Sequence, residues 1–176
     1  MFGLMAICRK FVPLFFSNQF SAVIPVMEIE SIVVLLIAWG SALGDPFLLP
    51  TNQIRPYTLS VIFGAVINLI ANIPLILLWG AVGTSIATVL SEATVTFYRM
   101  FSIRNQVEYK LLFVDFFKYL FSGVIMFVIV KTLDDLLPNS WLMLSVEILV
   151  GILVYLIGLI LSKAKILNEL KLILKN

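Results

Sequence analysis

The chain has 176 residues, of which 61% are hydrophobic and only 12% are charged, with a formal net charge of +2. Soluble domains have about 25% charged residues, so this composition excludes an ordinary soluble protein and indicates an integral membrane protein. The chain has no histidine and one cysteine, Cys8. It therefore lacks the commonest general base and metal ligand, which disfavours a hydrolase or acyltransferase acting within the membrane.

The first segment is an apolar stretch that ends near Phe20 and is interrupted by Arg9 and Lys10. It lacks the basic start, apolar run and cleavage site of a signal peptide, so we interpret it as a membrane helix, complete or partial. In a complete helix, Arg9 and Lys10 would lie deep in the membrane and mark the path of an anionic substrate. In a shorter helix they would snorkel to the cytoplasmic surface, and the sequence leaves both alternatives open.

Further stretches are apolar enough over roughly 20 residues to cross a bilayer. They are residues 28–50, 57–79, 81–100, 111–130 and 141–161, and residues 80–83 form a tight turn between two of them. We therefore predict an all-α fold: a polytopic integral membrane helix bundle of about six spans, the first complete or partial.

The distribution of lysine and arginine predicts the orientation of the spans. Basic residues gather in alternate connections and in the tail: Arg55, Arg99, Arg104, Lys110, Lys163, Lys165, Lys171 and Lys175. The positive-inside rule therefore places the C-terminus in the cytoplasm. Residues 163–176 are predicted to form an amphipathic helix on the inner leaflet, with a frayed, solvated tail as the alternative.

Polar side chains recur along one face of each of two consecutive spans. The first row is Ser60, Gly64, Asn68 and Asn72, and the second is Ser85, Thr88, Glu92, Thr96 and Arg99. Residues three or four apart share a helical face, so the rows would line a hydrated cavity if they face each other. The alternative is that these groups hold helices together by interhelical hydrogen bonds. Another row, Gly83, Ala87 and Ser91, is predicted to serve close helix packing.

Glu92 is the most informative of these residues, because a carboxylate midway through a span is costly unless it is paired, hydrated or protonated. Its expected partner is Arg9 or Lys10 on the first helix, or Arg99 on its own helix. The candidate residues of a substrate or ion path are Arg9, Lys10, Asn68, Asn72 and Glu92. Other charged residues are expected to be solvated or to snorkel near the interfaces: Asp45, Asp115 with Lys118, and Glu147. Asp134 and Asp135 are expected to be solvated in an outer loop.

Motifs of common catalytic sites are missing from the sequence: it contains no GxxxxGK loop, no GxSxG elbow, no HExxH and no Cys/His cluster. We therefore predict that the chain is not an enzyme. We expect no catalytic residues, no metal site, no cofactor and no nucleic-acid partner.

Three segments occur in an order that resembles a known family: MFGLMAICRKFVPLFFSNQF, LGDPFLLPTNQIRPYTLSVIFGAVINLIANIPLI and WGAVGTSIATVLSE. They resemble the C-terminal portion of a bacterial polysaccharide repeat-unit flippase (O-antigen, Wzx type) of the MATE-like multidrug/oligosaccharidyl-lipid/polysaccharide superfamily. The resemblance covers about residues 1–104 and departs at Ser17, where glycine is usual, and at Pro46, where glutamine is common. Family members have about 12 to 14 spans in two bundles around a central cavity, so the chain would hold part of the second bundle.

The resemblance implies three regions: residues 1–102 with four membrane helices of the second bundle, residues 103–162 with a cytoplasmic loop and an appended helix pair, and the tail. It implies a protein of the bacterial cell membrane that translocates undecaprenyl-diphosphate-linked oligosaccharides in capsule, O-antigen or exopolysaccharide biosynthesis. An ion gradient would supply the energy, with Glu92 as a candidate carrier. The implied partners are the lipid-linked oligosaccharide, membrane lipids, and the missing N-terminal half or the polysaccharide polymerase machinery.

Other interpretations stay open. A flippase for peptidoglycan precursors or a drug exporter of the same superfamily would have similar residues. The alternative of a different class is a truncated, non-transporting membrane protein or a scaffold of glycan assembly.

Overall fold

The computed structural model describes residues 1–108 and 113–164, except for the side chains of Leu43 and Asp45. Within these residues the fold is all helical, as predicted, and contains no strand. The α-helices are α1 (Phe2–Phe16), α2 (Val23–Leu43), α3 (Ile54–Ile103), α4 (Phe116–Leu136) and α5 (Trp141–Leu161). A 3₁₀-helix, Asn18–Phe20, follows α1, and a π-helix, Gly44–Leu48, extends α2.

The role expected for Asp45 concerns a side chain outside the described residues. Two further sequence predictions fall partly outside them. The amphipathic tail predicted for residues 163–176 lies outside them from residue 165 onward. The same holds for the start of the span predicted at residues 111–130.

Within residues 1–108 and 113–164, four helices are long and apolar enough to cross a membrane by length and composition: Val23–Leu48, Ile54–Ile103, Phe116–Leu136 and Trp141–Leu161. This number is smaller than the predicted total of about six spans, for two reasons. α1 has 15 residues, so it is about 22 Å long, less than the roughly 30 Å of a bilayer core. α3 has 50 residues and contains two of the predicted spans.

α3 reverses direction at Gly80, whose φ of 56° and ψ of −131° are not helical. A positive φ strains residues that have a side chain, so glycine is needed here for its backbone, although a Cβ would meet nothing within 4 Å. The two halves of α3, residues 54–79 and 81–103, then lie side by side. The hydroxyl of Ser91 donates to the carbonyl of Gly64 across them at 2.8 Å. The turn predicted for residues 80–83 is therefore confirmed at Gly80, while residues 81–83 are already helical.

The row of small residues forms the surface on which the two halves of α3 pack. A Cβ on Gly83 would overlap the carbonyl oxygen of Leu75, and Ala87 is fully buried. Small side chains let helix backbones approach closely, which provides van der Waals contact where lipid weakens the hydrophobic effect. The packing role predicted for Gly83, Ala87 and Ser91 is therefore confirmed.

The chain forms two compact units. The first consists of Met1 and residues 22–108, and therefore contains α2 and α3. In this unit the hydroxyl of Thr96 on α3 donates to the carbonyl of Leu36 on α2 at 2.9 Å.

The second unit consists of residues 2–21 and the chain from residue 109 onward, and therefore contains α1, α4 and α5. Gly123 of α4 lies against the ring of Phe2 on α1, and Gly151 of α5 lies against Val130 of α4. The resemblance groups the first helix with residues up to 102, whereas in the structure α1 packs against α4 and α5.

Within each unit, polarity is distributed in the opposite way to a water-soluble protein. Charged and hydroxylated side chains are buried: Lys10, Ser60, Thr96, Arg99 and Glu147 are examples. Large apolar side chains are exposed on the outside, among them Leu69, Leu78, Phe117 and Leu161. Such a surface is an aggregation hazard in water but suits contact with acyl chains, which supports a helical membrane protein.

We expect Gly83→Ala to destabilise the detergent-solubilised chain by about 1–3 kcal/mol, the usual effect of overpacking. The new Cβ would overlap the backbone of Leu75. Gly3→Ala is the matched control, because a Cβ there meets only Met126 at 3.9 Å. The melting temperatures of both variants are measured by thermal unfolding, followed by tryptophan fluorescence. Equal melting temperatures would contradict close packing between the halves of α3.

Candidate functional site

A cavity of about 550 Å³ lies between the two halves of α3. Its walls combine polar and apolar side chains: Val61, Ala65, Asn68, Leu69, Asn72, Ser91, Glu92 and Val95. We call this cavity the α3 groove. Three of the predicted path residues, Asn68, Asn72 and Glu92, therefore line one space.

The sequence places these residues together through two local features. Asn68 and Asn72 are one helical turn apart, so they lie on one face. The reversal at Gly80 then brings the second half of α3 beside that face. Asn68 precedes Gly80 by 12 residues and Glu92 follows it by 12, so both lie at the same depth, about 18 Å along the helix from the turn.

The α3 groove offers hydrogen-bond acceptors and one formal negative charge. The Oδ1 atom of Asn72 is buried and has no hydrogen-bond partner among the described residues. The ion pairs within the described part of the chain do not include Glu92. The hydroxyl of Ser91 donates to Gly64, and Asn68, Asn72 and Glu92 can accept hydrogen bonds from a bound molecule.

Arg99, one expected partner of Glu92, instead joins α2 to both halves of α3. Its Nη1 donates to the carbonyl of Gly40 at 2.7 Å, and its Nε donates to the hydroxyl of Ser60 at 3.1 Å. The guanidinium also lies over the ring of Tyr57, 4.5 Å from its centroid. These bonds satisfy a charge that is only 7% exposed, so Arg99 holds the first unit together.

Lys10, another expected partner of Glu92, is 1% exposed and forms an ion pair with Glu147 of α5. Its Nζ also lies 3.6 Å from Oδ1 of Asp134 on α4. Lys10 therefore does not snorkel to a surface, and the expectation that Glu147 and Asp134 are solvated is wrong. Burial of a cation in an apolar unit requires nearby carboxylates, and these two acids meet that need.

Arg9 differs from its neighbour because its side chain is exposed on α1.

Asp115 and Lys118 form an ion pair at 2.9 Å, in which the Asp115 side chain is 6% exposed and that of Lys118 is 39% exposed. The Asp115 side chain is therefore paired and buried rather than solvated.

A feature of the sequence could have identified Glu147 as an unusual charged residue, although Glu147 is in neither of the polar rows. Glu147 is the only charged residue in the predicted span at residues 141–161. An acid in one apolar helix can form an ion pair with a base in another, but periodicity within single helices cannot show which helices pair.

Comparisons with protein-family models, with curated proteins and with solved structures find no match for this chain.

We expect the α3 groove to contain water in the membrane, which thiol labelling can test. In a Cys8→Ser background, Asn68→Cys lies in the groove, whereas Ile70→Cys lies nearby on the exposed apolar surface. Because only a thiolate reacts and it forms only in contact with water, a hydrophilic methanethiosulfonate reagent should label position 68 about tenfold faster or more. Labelling at equal rates would show that both positions face the same medium.

Proposed function

We propose that the chain is the C-terminal part of a membrane flippase that translocates undecaprenyl-diphosphate-linked oligosaccharide repeat units during polysaccharide biosynthesis. The observation that carries this proposal is the α3 groove, in which Asn68, Asn72 and Glu92 line one cavity between apolar helix segments. The ordered resemblance of residues 1–104 to flippases supports the same conclusion. The proposed location is the bacterial cell membrane.

The chemistry of the groove suits the glycan part of such a substrate. Amide and carboxylate oxygens accept hydrogen bonds from sugar hydroxyls, and the amide nitrogen of Asn68 or Asn72 can donate to them. Among the described residues that line the groove, none is basic. The diphosphate of the substrate would therefore be bound by groups outside the α3 groove.

The proposed topology follows the positive-inside rule. Arg55 near the start of α3, and Arg104 just past its end, would lie in the cytoplasm, together with the C-terminus. α3 would then cross the membrane twice, with Gly80 at the outer surface. α1 would contribute a partial span, which brings the total to the predicted six or so.

The proposed mechanism is alternating access, in which this chain rocks against the missing N-terminal half and opens the groove to each side in turn. A carboxylate within a membrane that changes its protonation state can couple such a motion to an ion gradient. Glu92 is the candidate for this role in the groove.

We expect Glu92→Gln to reduce surface polysaccharide about tenfold or more, because a charged hydrogen-bond acceptor and a titratable group are both lost. The variant replaces the natural gene in the native cell, and the measurement compares surface polysaccharide with lipid-linked oligosaccharide retained on the cytoplasmic side. Glu108→Gln is the control, because Glu108 is an exposed acid beyond the end of α3.

Polysaccharide export by the same cells distinguishes a transport role from a scaffold role. A scaffold would tolerate Glu92→Gln but not deletion of the whole chain. Normal polysaccharide export by the Glu92→Gln cells, together with loss of export on deletion, would therefore reject transport through the α3 groove.

A further inference from the structure

A cluster of charged groups lies in the second unit, whereas the α3 groove belongs to the first. It consists of Lys10 on α1, Asp134 on α4 and Glu147 on α5, and we call it the Lys10 cluster. The side chains are 1%, 5% and 0% exposed, respectively. Three helices of one compact unit therefore each contribute a buried charged group.

The charges of the Lys10 cluster do not balance. One ammonium and two carboxylates give a formal charge of −1. Oε2 of Glu147 and Oδ1 of Asp134 are buried without a hydrogen-bond partner among the described residues. Oδ1 of Asp134 is 3.6 Å from Nζ of Lys10, which is beyond hydrogen-bond distance. An unbalanced buried charge with unpartnered oxygens is strongly unfavourable, so the cluster is incomplete as it stands.

The other ionisable groups on the three helices do not complete the cluster. Arg9 and Asp135 are exposed, and the buried thiol of Cys8 contacts the carbonyl of Met5. Lys131 forms no ion pair within residues 113–164 or 1–108. At the distant end of α4, Lys118 is paired with Asp115, and Tyr119 and Tyr155 lie towards that same end.

We propose that the Lys10 cluster binds one further positive charge on the unpartnered oxygens of Asp134 and Glu147. The ligand is a proton or a small monovalent metal cation, which share the ability to bring the cluster to neutrality. A divalent cation fits poorly, since the described residues contain no group of three acidic, histidine or cysteine side chains and divalent ions need more oxygen ligands.

The cluster lies towards the ends of α4 and α5 at which the two helices are connected. Asp134 lies two residues before the end of α4, and Glu147 lies six residues, or about 9 Å, after the start of α5. The site is thus close to the connection between α4 and α5, which faces outward in the proposed topology. Its existence does not depend on transport through the α3 groove.

Thermal unfolding of the purified full chain in nanodiscs tests the proposal in two arms. In the first, sodium replaces choline at constant ionic strength and pH 8; in the second, the pH falls from 8 to 6 in choline chloride. A ligand that binds the folded chain better than the unfolded one stabilises it. A tenfold excess over the dissociation constant is expected to raise Tm by about 3 °C in at least one arm.

Two matched variants make the result specific to the cluster. Asp134→Asn makes the cluster neutral, so we expect it to lose the response, whereas Asp135→Asn changes the exposed neighbour and is expected to retain it. A sodium response identifies the metal cation, and a response to pH alone identifies the proton. The proposal is overturned if wild type responds in neither arm, if Asp134→Asn responds like wild type, or if both variants lose the response.

A second measurement covers the case in which Asp134→Asn does not fold. Binding of radioactive sodium, and proton release on addition of sodium, are measured on wild type and Asp135→Asn. Saturable sodium binding, or release of about one proton per chain, supports the proposal, and neither event in either protein overturns it. Flipping is not assayed, so failure here is distinct from failure of the proposed function.

Discussion

The reversal of the backbone at Gly80 is the constraint on which the candidate site depends. A left-handed φ at this position turns α3 back on itself, and the small residues beyond it let the two halves come into contact. Without this turn, Asn68 and Glu92 would lie 24 residues apart on one rod, about 36 Å from each other. With it, they line the same groove.

Buried polar groups of this protein are of two kinds: some have hydrogen-bond partners, and others have none among the described residues. In the first unit, Arg99 is satisfied by a backbone carbonyl, a hydroxyl and an aromatic ring, which is the pattern of a structural bond. Asn72 in the same unit and Glu147 in the second have buried oxygens without partners among the described residues. Because unpartnered oxygens are costly in a low dielectric, such atoms distinguish places where a ligand is expected from places where helices are merely joined.

Local features of this structure could be predicted from sequence, and long-range ones could not. The turn at Gly80, the packing row with Gly83 and the shared face of Asn68 and Asn72 depend on spacings of a few residues. The pairing of Lys10 with Glu147 joins positions 137 residues apart, and no periodicity within a helix contains that information. The composition of the two units likewise depends on which helices pack against each other. The packing of α1 against α4 and α5 is therefore seen only in the structure.

Asn68 and Glu92 are each 12 residues from Gly80. Their alignment in the groove therefore depends on the number of residues between them and the turn. Inserting one residue on either side would rotate everything beyond it by about 100° and shift it by 1.5 Å. That rotation would turn Asn68 or Glu92 out of the groove even though every amino acid were retained. Gains and losses of length within the interval from 68 to 92 are therefore expected to disrupt the groove more than exchanges of the side chains that face lipid.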